Sequence, residues 1–366
     1  MNHKEHIDIC ILHVAYSKKA PVGIQQQMQF EHEAVNKINI FWDTVLFSTL
    51  ENIHPFMIHI NPALPTFLQW LKVYWWVFKK RKEYDIILFR NIKADFIGWI
   101  FVKFIKRIVT VHHSKEIEEC KLVRPKYYGI TLSWIEKTFG NKKIRRVKGI
   151  AAVTNEIAKY ELERINKKKR TIIIPNGINT DSKFLLPDKR SDNAKAVFIS
   201  SSFEEWHGLE LVLSSYLENP ESVMELHLIG HVGNKYIDII QLINKIKPII
   251  FLHGILKKSE MIEILSHADI GLASFALFKE NLHEACTLKV REYLAGGIPV
   301  YAGHIDSGLP PDFPYYFRGK PDIREIEKQA IRCRTIPREK IIEAARPFID
   351  KAMIIERAYR DLTAFC

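Results

Sequence analysis

A chain of 366 residues, 47% of them hydrophobic, has room for about two domains with cores of their own and is neither disordered nor low-complexity in composition. Five scattered cysteines (Cys10, Cys120, Cys286, Cys333, Cys366) without a C-x-x-C pair argue against a disulfide framework or structural zinc, and no apolar run reaches the ~18 residues that span a bilayer. The net charge of +12 is uneven: residues 1–176 carry 30 Lys and Arg against 16 Asp and Glu, which points to an anionic partner, either a membrane surface or a nucleic acid.

The first residues, Met1 to Ile7, are polar and lack the apolar core of a secretory signal, so a cytoplasmic chain is expected. Residues 9–14 read as a buried strand, followed by Ala20-Pro21-Val22-Gly23-Ile24 and a helix over 25–36. Strand, glycine loop and helix open a nucleotide-binding α/β unit, although a single glycine, Gly23, fits a plain βα turn equally well. Further strands are expected at 44–47, 85–89 and 108–111, alternating with helices, which predicts a parallel sheet with right-handed crossovers. Residues 65–82 carry Trp70, Trp75 and Trp76 and run into Lys79-Lys80-Arg81-Lys82; residues 96–107 repeat the mixture, and 124–128 and 142–146 add more basic charge. Interleaved aromatics and cations suit helices lying in the headgroup region of an anionic membrane; the plainer reading is helices packed on the sheet with charged ends.

The strand at 108–111 runs into His112-His113-Ser114. Carboxyl ends of parallel strands face the ligand crevice, so one of the two histidines is expected at the substrate, and adjacent side chains on a strand point apart, which is poor geometry for zinc. Another strand at 149–155, a helix at 156–165 and a strand at 171–174 lead to the turn Pro175-Asn176-Gly177, and a polar linker is expected at 181–194. The pattern then restarts, with strands at 196–200, 225–229, 249–252 and 269–274 and helices at 209–216 and 260–266. Residues 283–300 read as loop, short helix, Gly296-Gly297 stop and short strand, with Thr287 as helix N-cap. Val290, Tyr293 and Leu294 share the face expected on the sheet, leaving Lys289 and Glu292 on the free one. Helix-start amides with Lys289 in the first turn suit a phosphate, and Glu284 and Glu292 on either side can accept hydrogen bonds from hydroxyls. Together these describe a site for a nucleotide sugar.

Thr154-Asn155-Glu156, Ile174-Pro175-Asn176-Gly177-Ile178, the Glu284/Glu292 pair spaced as E-x7-E, and the run from Glu292-Tyr293-Leu294-Ala295 to Pro299-Val300 resemble, in order and spacing, the retaining GT-B glycosyltransferases of glycosyltransferase family 4. The resemblance implies two Rossmann-like parallel-sheet domains facing a cleft, at residues 1–176 and 177–348, with 349–366 as a C-terminal helix able to pack back on the first domain. It implies that Glu284 holds donor-sugar hydroxyls and Glu292 the ribose, and that Thr287, Leu288 and Lys289 meet the distal phosphate. Gly23 would approach the diphosphate, Gly254 and Leu256 would lie by the base, and His112 would line the reaction centre, with His113 as the alternative. Where the family has an arginine and a lysine before glycine, this chain has Trp206-His207-Gly208, with His207 in the lysine's place.

The expected activity is retaining transfer of a sugar from a nucleotide-sugar donor to a glycan or lipid-linked glycan, in bacterial surface polysaccharide assembly, by a peripheral protein on the inner face of the plasma membrane. No cofactor, metal or nucleic acid is expected. The competing readings are a sugar-nucleotide epimerase of similar fold and a basic nucleic-acid-binding protein.

Overall fold

The computed structural model describes residues 9–123, 125–180, 186, 188–189 and 193–366. Most of the expected linker at 181–194 therefore lies outside the described residues, as does Arg124. The chain divides into two compact units, residues 1–179 with 350–366, and residues 180–349.

The first unit contains, in order, β1 (Ile11–Tyr16), α1 (Val22–Val35), β2 (Trp42–Ser48), β3 (Met57–His59), α2 (Thr66–Lys80), β4 (Ile86–Arg90), α3 (Phe96–Phe101), β5 (Ile108–His112), α4 (Glu116–Leu122), α5 (Lys126–Ile135), α6 (Asn141–Arg146), β6 (Gly149–Ala152), α7 (Asn155–Ile165) and β7 (Arg170–Ile173). Its sheet is wholly parallel, in the order β3-β2-β1-β4-β5-β6-β7. The central strands are buried on both faces, as a sheet covered by helices on each side requires. Caps fix where helices begin. Asp95 accepts the Gly98 N–H at 2.7 Å at the start of α3, and Thr154 accepts the Ile157 N–H at 3.2 Å at the start of α7.

The second unit contains β8 (Lys195–Ser202), α8 (Leu209–Glu218), β9 (Glu225–His231), α9 (Asn234–Ile246), β10 (Ile250–Gly254), α10 (Lys258–His267), β11 (Ile270–Leu272), β12 (Glu284–Ala285), α11 (Leu288–Ala295), β13 (Val300–Ala302), β14 (Ile305–Asp306), β15 (Tyr316–Arg318), α12 (Ile323–Cys333) and α13 (Arg338–Ile349). Its main sheet has the order β10-β9-β8-β11-β13-β15, with all pairs parallel, and β12 pairs separately with β14. Both units are parallel α/β domains, the architecture of the GT-B fold.

The last helix, α14 (Lys351–Thr363), belongs to the first unit. Its Ile355, Ala358 and Leu362 enter the apolar core beneath β1, β4 and β5. The Tyr359 hydroxyl donates to the Ile9 carbonyl and accepts the Ile9 N–H, both at 2.9 Å. Lys351 meets the buried Glu31 of α1 at 3.2 Å. Among the described residues no helix is long and apolar enough to cross a membrane.

Candidate active site

In the first unit the strand order reverses between β1 and β4, because β1 pairs with β2 on one side and β4 on the other. Ligands of open α/β sheets sit at the carboxyl ends of strands at such a point. A cavity of about 510 Å³ opens there, with Tyr16 at the end of β1, Arg90 at the end of β4 and His113 just past β5 in its walls. Gly23 is exposed in the first turn of α1, and nothing lies within 4 Å of where a Cβ would stand. The left-handed residue of that loop is Ala20, with φ 35°.

The structure separates the two histidines. His112 is wholly buried: its Nδ1 lies 2.7 Å from Glu116 Oε1 and its Nε2 lies 2.9 Å from the Thr110 hydroxyl. Alternation along β5 turns His113 the other way, into the cavity, where its Nε2 is buried without a hydrogen-bond partner. Burial and the neighbouring Arg90 hold His113 well below the ordinary imidazole value, so it is neutral.

His112, Glu116 and Glu161 place ligand atoms within 4.8 Å of one another, a spacing that could hold a metal ion. An arginine already supplies positive charge here: Arg164 Nε is 3.0 Å from Glu161, and its Nη2 donates to Glu136 at 2.7 Å. Burial and the adjacent Glu116 raise the Glu161 carboxyl well above the usual range. Burial opposes ionisation of Glu116 as well, but His112 and Arg164 outweigh it and hold Glu116 well below that range. The cluster reads as a closed structural network behind β5.

In the second unit, α11 starts where the sequence places it. Val290, Tyr293 and Leu294 are buried, and the Tyr293 hydroxyl accepts the Ile199 N–H of β8 at 3.0 Å. Thr287 occupies the N-cap position, but its side chain makes no cap hydrogen bond and its Oγ1 is buried unpartnered. The face expected to be free is only partly exposed. Lys289 Nζ is buried with no hydrogen-bond partner, 5.4 Å from the Phe198 ring centroid of β8. Burial pulls its pKa down to about 7, against a smaller opposing effect of Glu292.

Lys289 acts electrostatically on His207, whose ring centroid lies 6.3 Å from that of Phe198, and on His304. His207 does not replace a family lysine as a charge. Its Nδ1 accepts the Glu204 N–H at 3.0 Å, its Nε2 lies 3.1 Å from the Ser200 hydroxyl, and burial lowers its pKa to about 3. His304 follows β13; its Nδ1 donates to the Ser274 carbonyl at 2.9 Å and its Nε2 is buried without a partner, as is the Ser274 hydroxyl. A buried ammonium, two hydroxyls and an imidazole nitrogen all lacking partners are costly in an empty fold and are met by a ligand rich in acceptor oxygens.

Glu284 lies half-buried on β12, which pairs with β14 in the register Glu284↔Ile305. Asp306 of β14 is tied to α11 by a bidentate, wholly buried pair with Arg291, whose Nη2 donates to Asp306 Oδ1 at 2.7 Å. Leu288 and Glu292 are half-buried on α11, with Glu292 close enough to act on Lys289. Gly254 and Leu256 stand apart from this cluster, at the end of edge strand β10, two strands from β8. Gly254 has φ +64° with open space at its Cβ position, so its backbone conformation alone accounts for glycine there. Sequence reasoning missed His304, Ser274, Arg90 and Asn91, all of which lie at or just beyond carboxyl ends of strands, the position that could have found them.

The family model Glycosyltransferase Family 4 matches residues 37–182. No curated protein matches the chain by sequence. Among solved structures, the apo form of the lipopolysaccharide outer core galactosyltransferase WaaB is similar at TM-score 0.64 and 11% identity, over 97% of this chain and 100% of its own. A glycosyltransferase from Rickettsia africae is similar at TM-score 0.66 and 13% identity, over 98% and 99%. Anabaena HepE in complex with UDP is similar at TM-score 0.65 and 15% identity, over 97% and 100%. Residues 37–182 thus match the Glycosyltransferase Family 4 model, and the whole chain has the GT-B fold of these glycosyltransferase structures.

Proposed function

We propose that the chain transfers a sugar, with retention, from a nucleotide-sugar donor to a hydroxyl of a glycan or lipid-linked glycan in surface polysaccharide assembly. The observation that carries the donor half is the buried, unpartnered Lys289 ammonium in the first turn of α11. Helix-start amides, which no intrahelical carbonyl can satisfy, and this ammonium together form a fixed receptor for a diphosphate. As the glycosidic C–O bond to phosphate breaks, negative charge grows on the departing oxygen. A preorganised donor set in a dry site stabilises that charge without reorganising. The acceptor oxygen forms the new C–O bond on the same face, and its proton passes to the departing phosphate. Glu284 and Glu292 are assigned to the sugar and ribose hydroxyls.

UDP complexes of the structurally similar HepE favour uridine as the base. A thermal-shift panel of UDP, GDP, dTDP and ADP tests this. Ligand at a hundredfold excess over Kd stabilises by about 2.7 kcal/mol. UDP is expected to give the largest shift, with E292A weakening UDP and E284A mainly lowering turnover. A panel without any shift, or wild-type behaviour in both variants, overturns the assignment. Release of UDP from UDP-sugar that needs an added acceptor separates transfer from epimerisation.

A further inference from the structure

Resting on that reading, we infer that the cavity of the first unit receives the phosphoryl head of an amphiphilic acceptor, with Arg90 as its main partner and the exposed aromatic face of α2 and α3 as the seat of its hydrocarbon chain. Arg90 closes β4 and lines the cavity. Its Nη1 donates to Gln27 Oε1 at 3.0 Å, and no carboxylate among the described residues lies within ion-pair distance of it. Burial lowers its pKa to about 10, so it stays charged at neutral pH. Glu119, Glu116 and Glu31 favour its charge from beyond contact distance, but its only hydrogen bond among the described residues is to the neutral Gln27, which leaves donors of the guanidinium for an anion.

The carboxylates of the same wall are already engaged. Glu119 pairs with Lys93 and Ser114, and Glu116 with His112. Other groups around Arg90 await acceptor oxygens. The Nδ2 of the Asn91 amide and Nε2 of His113 are buried without partners, and the exposed Lys18 stands at the rim. Donors that converge from a guanidinium, an amide and a neutral imidazole suit the several oxygens of a phosphate.

The same helix joins this cavity to an apolar surface. Thr66 and Trp70 of α2 line the cavity, while Phe67, Leu71 and Trp75, spaced four apart, are exposed on the adjoining stripe. Phe96 and Ile100 of α3 are exposed at the same spacing, with the exposed Phe104 in the turn after the helix, and the Trp70 and Phe96 rings meet edge-on at 6.3 Å. A molecule with its phosphate on Arg90 can therefore lay its chain along these stripes without leaving the unit.

Calorimetric titration of the full chain with octyl phosphate, octyl glucoside and inorganic phosphate tests the assignment. Octyl phosphate is expected to bind roughly tenfold or more tighter than either control, since it alone uses both halves of the site. R90Q should lose that advantage, R90K should recover part of it, and UDP affinity should stay at the wild-type value in both. Replacing Phe67 and Trp75 by serine should weaken octyl phosphate and leave inorganic phosphate unchanged. Octyl phosphate binding that survives R90Q overturns the inference, as does inorganic phosphate binding as tightly as octyl phosphate. Intact UDP binding with no octyl phosphate affinity defeats this inference alone, whereas no UDP affinity in the wild type defeats the donor reading beneath it.

Discussion

His112 Nδ1 lies 2.7 Å from Glu116 Oε1, and both side chains are buried behind β5, while the next residue, His113, turns into the cavity. Removing one member of a buried hydrogen-bonded pair leaves the other unsatisfied and costs about 1–3 kcal/mol. H112A should therefore lower the urea midpoint by that order and leave UDP affinity at the wild-type value in folded protein. H113Q should do the reverse, with little effect on the midpoint and reduced transfer to acceptor. Stability and turnover measured on both variants check the pair; a stable H112A with lost turnover would return His112 to the reaction centre.

Lys289 makes a prediction with a defined pH window. Its folded pKa is about 7, below the ordinary lysine value of 10.5. Between those limits the unfolded chain holds a proton that the folded chain releases, so this group makes stability rise with pH from about 7 upward, and its contribution is at its least below 7. Over two pH units above 7 the effect is about 2 kcal/mol at most. Urea midpoints at pH 7 and 9 should show the rise in wild type, and K289M should lack that component while being the more stable protein at pH 7. Diphosphate binding should restore the charged form, so UDP titration near pH 7.5 in buffers of different ionisation enthalpy should report uptake of a fraction of a proton. Equal heats in all buffers would remove Lys289 from the phosphate.

Much of this arrangement is written in the sequence, and the exceptions have a common cause. Runs such as Ile86-Ile87-Leu88-Phe89 and Gly149-Ile150-Ala151-Ala152 are buried on both faces and legible as parallel strands without any partner in view. The α11 boundaries follow from Thr287 and the Gly296-Gly297 pair. What a face meets is not local information. A helical wheel groups Lys289 with Glu292, but Phe198 comes from a distant segment to lie against Lys289. Alternation says that His112 and His113 diverge, and only the carboxylates of α4 and α7 decide which one is sealed in. The helix α9 has its own helical signal, with Ile239, Ile240, Leu242, Ile243 and Ile246 on one side, yet it is not among the expected elements, and β3 has only three residues.

The Arg291–Asp306 pair holds β14, and through it β12 with Glu284, against α11. D306A leaves a buried guanidinium uncompensated and should cost roughly 3–5 kcal/mol, whereas the R291M/D306L double replacement should cost much less, because an apolar pair of similar volume removes both charges together. Both should lower turnover by freeing Glu284. Denaturation midpoints of the three proteins check the energetic part: a double variant as unstable as D306A would show that the ion pair itself, and not its balance, is needed.

The exposed aromatic stripes also bear on where the chain works. Phe67, Leu71 and Trp75 on α2, Phe96, Ile100 and Phe104 at α3, and Tyr127, Ile130 and Trp134 on α5 all stand in water. Cations accompany them: Lys79 lies 5.7 Å from the Trp75 ring, and Lys103, Lys142 and Arg146 surround Trp99 at 4.7, 5.5 and 5.6 Å. Aromatic rings at headgroup depth with basic side chains beside them are the makings of an interfacial surface, each cation near an anionic leaflet contributing on the order of 1 kcal/mol. Co-sedimentation with phosphatidylglycerol-rich vesicles is expected at low salt, weakening as the screening length falls from about 30 Å at 0.01 M to about 10 Å at 0.1 M. Replacing Phe67, Leu71 and Trp75 by serine should weaken binding at every salt concentration, because it removes the apolar component, whereas K79Q/K103Q should flatten the salt dependence. Indifference of the wild type to such vesicles at 0.01 M salt would confine the stripes to holding an acceptor chain.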